Sequence, residues 1–316
     1  MLRPVVSTEV EAALDARDPV VALESTIFSN LGLPSPANAE ALDRCVAAVR
    51  ESGAVPAVTA VLDGVARVGL EPTEHERILG AARKAAERDL AVAVAQHWEF
   101  GATTVSASVA LAAAAGVSVF ATGGVGGVHR GAEATGDISA DLDALATHAV
   151  ITVSAGAKAF LDLSRTLEYL ETRGVPVLGW QHDWFPAFYT RSSGLPVPHR
   201  VDDAATVAAV YAARPRQVGV LVAVPIPADA ELDATVVDAA LADALHDAQV
   251  TGVEGAAVTP FVLGRIAAAT AGGSIPANLA LAERNAAVAG EIAVAVSRLD
   301  RAARSGSGAL PATRRR

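Results

Sequence analysis

Between Val20 and Pro227 the chain alternates short runs of β-branched and other apolar residues with alanine-rich stretches of helical spacing. Strands separated by helix-length segments pair most readily in parallel, through crossovers, so this pattern restricts the chain to an α/β fold. Strands are predicted at 20–26, 90–96, 117–124, 149–156, 175–180 and 218–227, and a hairpin over 54–70 turning at Asp63-Gly64. Helices are predicted over 37–53, 71–89, 103–116, 137–147 and 157–174, and through most of 229–303. The serine- and glycine-rich stretch 305–316 reads as a disordered tail. Length alone gives a soft count of about two domains. No repeat or linker divides the 316 residues, so one domain over 1–304 is expected: an α/β/α sandwich around a central, mostly parallel sheet.

Composition removes several classes of function. With 25 basic against 35 acidic residues the formal charge is −10, which disfavours a nucleic-acid partner. A lone cysteine, Cys45, supports neither an internal disulfide nor a thiolate zinc site. No run of 18 apolar residues occurs and the first residues lack a secretory core, so a soluble cytoplasmic protein with no membrane partner is expected.

The basic count hides a sharper signal. Of 25 basic residues only two are lysine, Lys84 and Lys158. Arginine replaces lysine wherever charge alone matters, but only lysine yields a neutral amine that attacks carbonyl-type carbons. Chance survival of each lysine carries comparable weight on this count.

Ligands of open α/β sheets bind beyond the carboxyl ends of strands. Three polar motifs fall there: Glu24-Ser25-Thr26, Thr122-Gly123-Gly124 and Ser154-Ala155-Gly156-Ala157-Lys158. Lys158 is expected to open a long helix, whose positive end would depress its pKa. Glu24 ends an apolar strand, so it is either a desolvated general acid or a carboxylate satisfied by amides or an arginine. Glycines 123–131 allow close approach of a ligand without matching GxGxxG; His129 within them is a candidate substrate contact, or simply structural. Asp137 and Asp141 stand four apart at an expected helix start, either as cap or as metal-binding carboxylates, with Ser139 beside them at an anion-holding terminus.

Taken in order, ALESTI (22–27), VPAVTAVLDG (55–64), GATTV (101–105), VFATGGVGGVHRGAE (119–133), DISADL (137–142), SAGAK (154–158), TLEYLETRGVPV (166–177), FPAFYTRSSGLPVP (185–198) and TPFVLGRIA (259–267) resemble the pseudouridine-5'-phosphate glycosidase family. The resemblance spans about 250 residues. It implies an α/β/α homotrimer and reversible, metal-dependent cleavage of pseudouridine 5'-phosphate into uracil and ribose 5-phosphate. It further implies Lys158 as nucleophile, Glu24 as proton donor and Asp137 as manganese ligand. Lys84, Val105, Ser139, Ala140 and Asp141 match substrate-binding positions. The chemistry is apt, because a C-glycoside has no heteroatom leaving group for paired carboxylates to expel.

Two segments depart from the family pattern: 30–34, one residue longer than the usual loop, and the bulky 96–100, where Trp98 is a candidate stacking platform for a larger aglycone. They keep a second enzyme reading open, a C-glycosynthase joining ribose 5-phosphate to an aromatic polyketide. A Schiff-base aldolase and a non-catalytic sugar-phosphate binder are more distant alternatives.

Overall fold

In the computed structural model, residues 2–214, 217–253 and 258–306 are described. The strands are β1 (Val5–Val6), β2 (Val20–Leu23), β3 (Val55–Leu62), β4 (Val65–Val68), β5 (Arg83–Ala85), β6 (Phe100–Thr103), β7 (Val119–Ala121), β8 (Val128–His129), β9 (Ile151–Ser154), β10 (Leu161–Asp162), β11 (Val177–Trp180), β12 (His199–Val201) and β13 (Val220–Ala223). The helices are α1 (Thr8–Ala16), α2 (Ala37–Glu51), α3 (Leu90–Ala95), α4 (Val105–Ala115), α5 (Ala132–Thr135), α6 (Ala140–Thr147), α7 (Leu163–Arg173), α8 (Ala204–Ala213), α9 (Ala234–Thr251), α10 (Val258–Ala269) and α11 (Ser274–Gly306).

Eleven strands form one sheet, with β1-β4-β3-β2-β7-β9-β13-β11-β12 along its path and β6 and β5 branching from β3. From β2 to β12 every pairing is parallel, and β2, β7, β9 and β13 are buried throughout, as strands covered on both faces must be. Helices α2, α8 and α11 pack together on one side; α4, α6 and α7 pack together on the other. This is the expected sandwich.

The hairpin turns where expected, with Asp63 and Gly64 both at positive φ. β3 is long enough to carry two partners end to end on one edge. Its first half pairs in parallel with β2 and its last residues antiparallel with β6. The carboxyl ends of β2 and β6 therefore meet head-on, beside Thr59.

Four expectations fail locally. Residues 71–89 are not one helix: a 3-10 turn over Pro72–Leu79 precedes β5, which puts Lys84 on a strand paired with β6. The 90–96 run is the helix α3, with Leu90 and Ala93 buried one turn apart and Val92 left 42% exposed. The true strand, β6, follows it. Helix α7 starts at Leu163 behind the cap Asp162, not at 157, so Lys158 lies on a loop and the helix-end argument for its pKa does not apply. Finally, α11 extends through Ser305 and Gly306, while the rest of the expected tail, 307–316, lies outside the described residues.

Candidate active site

The head-on junction of β2 and β6 is stitched by buried hydroxyls. Ser25 Oγ and Thr103 Oγ1 lie 3.1 Å apart, Thr59 Oγ1 is 2.9 Å from Thr103 Oγ1, and Thr103 Oγ1 donates to the Thr59 carbonyl at 2.8 Å. The Thr26 hydroxyl donates to the Thr103 carbonyl at 2.7 Å. Paired hydroxyls in a dry interior hold a unique geometry, because each lost partner leaves a costly orphan. Glu24 emerges from this junction on one side and helix α4, beginning at the buried Val105, on the other.

Glu24 is 7% exposed. Its Oε1 accepts a hydrogen bond from the Thr122 hydroxyl at the end of β7. Burial pushes the carboxyl above its usual range, against the pull of the Lys158 ammonium and of the Thr122 bond. Thr122 is itself held: its carbonyl accepts from Asn285 Nδ2 of α11 at 2.8 Å.

Beyond β7 and β9 the chains continue to pair as loops. Ala155 N–H donates to the Gly123 carbonyl at 2.9 Å, Val125 N–H to Gly156 at 3.1 Å and Lys158 N–H to Val125 at 3.1 Å. Gly156 has positive φ, and a Cβ there would sit 2.3 Å from the Pro186 carbonyl oxygen. This ladder holds the half-buried Lys158 beside the glycine-rich loop. Lys84 is exposed by area, yet loss of water and then the Lys158 ammonium hold its own ammonium below the usual lysine range, with Asp141, Glu24 and Asp137 pulling the other way. The two lysines thus share one field with three carboxylates.

Asp137 and Asp141 do not share a helix face. Ser139 caps α6, its hydroxyl accepting from Asp141 N–H, so Asp137 belongs to the preceding loop and Ala140 is the exposed first helical residue. The Asp141 carboxylate is 6% exposed and accepts from Ser106 N–H at the start of α4 and from Gly126 N–H, both at 2.9 Å. It clamps the glycine loop to α4. A Cβ on Gly126 would fall 2.2 Å from Ser139 Oγ, which explains that glycine. The Asp137 side chain stays 42% exposed, with Oδ2 3.6 Å from His129 Nδ1. Desolvation lowers the His129 pKa and Asp137 opposes it.

Among the described residues no three His, Cys, Asp or Glu side chains converge as a metal cage. A single open carboxylate still suits a hydrated Mg²⁺- or Mn²⁺-type ion, which keeps several waters and is completed by substrate phosphate. Asp137 fits that role; Asp141, spent on two amides, does not.

Trp98 is no stacking platform. It is buried, its Nε1 donates to Gln96 at 3.0 Å, and the Arg83 guanidinium lies 3.6 Å from its ring. Arg83 and Lys84 are adjacent on β5 and point to opposite faces, so Trp98 is turned away from Lys84. The longer 30–34 loop does touch the site's frame: Asn30 Oδ1 accepts from Ala82 N–H at 3.0 Å, just before β5.

The family pattern described as indigoidine synthase A like protein matches residues 9–295. A pseudouridine-5'-phosphate glycosidase of Rhodospirillum centenum is 54% identical over 295 residues, covering 92% of each chain. The chain belongs to this family. Another member, from Sorangium cellulosum, is 48% identical and covers 96% of both chains. Among solved structures, the prealnumycin C-glycosynthase AlnA in complex with ribulose 5-phosphate superposes with a TM-score of 0.87 at 38% identity, covering 95% of this chain and 99% of that one. An indigoidine synthase A-like protein from Thermotoga maritima gives 0.83 at 33% identity, covering 94% and 97%.

Asn285 escaped the sequence reading. Its signal was present: Asn278 and Asn285 stand two turns apart on one face of an alanine-rich helix, and both point inward, Asn278 Nδ2 donating to Tyr189 Oη at 2.9 Å.

Proposed function

We propose that this chain is a pseudouridine-5'-phosphate glycosidase, cleaving the C–C glycosidic bond reversibly with water to give uracil and ribose 5-phosphate. The observation that carries the reading is the convergence of Lys158, Lys84 and a desolvated Glu24 in one electrostatic cluster of a family member.

In the proposed reaction the Lys158 amine, having given up its ammonium proton, attacks C1' and the C1'–O4' bond breaks. The proton released by the newly bonded nitrogen passes to O4' as the ring opens, which restores the nitrogen lone pair. Glu24 gives its proton to the pyrimidine carbon. The C1'–C5 electron pair leaves with the base while the nitrogen lone pair forms a C1'=N iminium with Lys158. Water then adds to C1', and collapse expels the lysine amine and frees the aldehyde of ribose 5-phosphate. A buried, neutral glutamic acid is suited to protonating carbon, because its proton is not dispersed into water. Lys84, the Val105 amide opening α4 and the Ala140 amide opening α6 would bind the phosphate, with Ser139 and Asp141 shaping that helix start through amides already bonded to Gly127 and to Ser139 Oγ. The remote binding energy helps drive ring opening. His129 flanks the same sugar-phosphate path. Asp137 would hold the manganese ion, which supplies charge neutralisation and orientation of the phosphate. The reading includes a homotrimer acting in the cytoplasm; no helix among the described residues is long and apolar enough to cross a membrane.

Incubation with pseudouridine 5'-phosphate and Mn²⁺ should release uracil. No release would overturn the assignment. The fold shared with AlnA favours a second reading, synthesis of a C-glycoside from ribose 5-phosphate and an aromatic acceptor. Relatives named as glycosidases are more similar in sequence, at 45–54% against 38%, which favours cleavage.

A further inference from the structure

We infer that Thr122 is the positioning residue of the acid: its hydroxyl engages Oε1 of Glu24 and leaves Oε2 as the oxygen that delivers the proton to the aglycone carbon. The inference rests on the glycosidase reading and deepens it.

Among the described residues, Thr122 is the only hydrogen-bond partner of the Glu24 carboxyl. A hydroxyl has one proton to donate. While that proton points at Oε1, this oxygen serves as acceptor, and the proton of the neutral acid resides on Oε2. The donor is fixed from two directions. Thr122 N–H bonds the Val153 carbonyl at 3.0 Å, and Asn285 Nδ2 bonds the Thr122 carbonyl at 2.8 Å and the Gly123 carbonyl at 3.2 Å. Thr122 is 5% exposed, so bulk water does not compete for its hydroxyl.

The charged groups that act on the carboxyl, Lys158, Asp141 and Lys84, do so without a hydrogen bond to it among the described residues, and the cavity beside it offers no substitute for Thr122. Glu24 borders a narrow cavity lined by Leu23, Ile27, Phe28, Cys45, Ala121 and Ala282, besides Thr122 and Gly123. Cys45 is the one other side chain there with a proton to give, and burial pushes its thiol up to about 12, so it remains a weak S–H donor. A carboxyl without Thr122 would be free to swing between rotamers, presenting either oxygen.

The test compares Thr122→Val, of nearly the same shape, with Thr122→Ser, which keeps the hydroxyl. In Thr122→Val, kcat for uracil release should fall about tenfold or more with little change in KM. The alkaline limb of its pH profile should move up, because the lost hydrogen bond had favoured the charged carboxylate. Thr122→Ser should restore both. Borohydride trapping of ribose 5-phosphate on Lys158 needs no proton delivered to a base, so it should match wild type in both variants and show an intact site. A Thr122→Val enzyme with wild-type kcat and limb, a Thr122→Ser enzyme as slow as the valine variant, or trapping that falls in step with kcat would each overturn the inference. Wild type that traps the sugar yet releases no uracil would instead remove the glycosidase reading, and this inference with it.

Discussion

Glu24 and Asp137 are two carboxylates of one site built on opposite terms. Glu24 leaves a fully buried strand, has a single hydrogen-bond partner and is pushed by burial toward its neutral form. Asp137 sits on a loop, 42% exposed, its backbone tied by Thr135 Oγ1 at its N–H and by His129 N–H at its carbonyl. One wall of the site is dry and the other is wet. A group that must keep a proton until carbon takes it belongs on the dry wall; one that meets a hydrated cation or a phosphate belongs on the wet rim.

The largest expected effect lies between the walls. Lys158→Ala and Lys158→Arg should fold but show no detectable turnover and no reductive trapping of ribose 5-phosphate, since guanidinium stays protonated. Turnover by Lys158→Arg would remove the nucleophile, and with it the reason for a dry acid.

Glu24→Gln should lower uracil release by about 10²–10⁴-fold, the usual worth of a general acid, while sparing trapping at Lys158. The same variant probes dryness through stability. Because the folded pKa of Glu24 lies above its unfolded value, its contribution to stability is complete below the ordinary glutamate range and is lost as pH rises through the folded pKa. Glu24→Gln should therefore melt higher than wild type at alkaline pH, and the gap should close on acidification. Equal melting temperatures at both pH values would show that the wall is not dry.

Lys84→Ala should raise KM about 10–100-fold with a smaller loss of kcat, as expected for one charge-assisted phosphate contact. On the wet rim, Asp137→Asn should raise the Mn²⁺ concentration for half-maximal activity about tenfold, the equivalent of one charged contact. Glu24→Gln should leave that concentration unmoved, and a matching shift in both variants would erase the contrast. Smallest of all, His129→Gln should change activity at most about fivefold, because a partly exposed pair at 3.6 Å contributes little.

The dry wall was the more legible part of the sequence. A glutamate ending an apolar strand and a lysine surviving among arginines need no tertiary knowledge to notice. Strand ends were legible for the same reason: VVAL and VFA are continuous apolar runs, and ITVS alternates apolar residues with small hydroxyls, all buried as a doubly covered sheet requires. What failed depended on partners far away in sequence. β5 has three residues, and only its pairing with β6 makes Arg83–Ala85 a strand rather than part of a charged helix. The loop carrying Lys158 reads as helix from composition, yet its backbone amide is claimed by Val125 across the glycine loop. Asp141 resembled a metal ligand until its two oxygens were found on Ser106 and Gly126 amides.

That both lysines belong to a single electrostatic cluster has a practical corollary. Lysine incorporated with a 13C- or 15N-labelled side chain has two addresses in this chain, Lys84 and Lys158, and leaves both amines chemically unchanged. Spectroscopy on such a sample would watch catalysis from inside, without any engineered label.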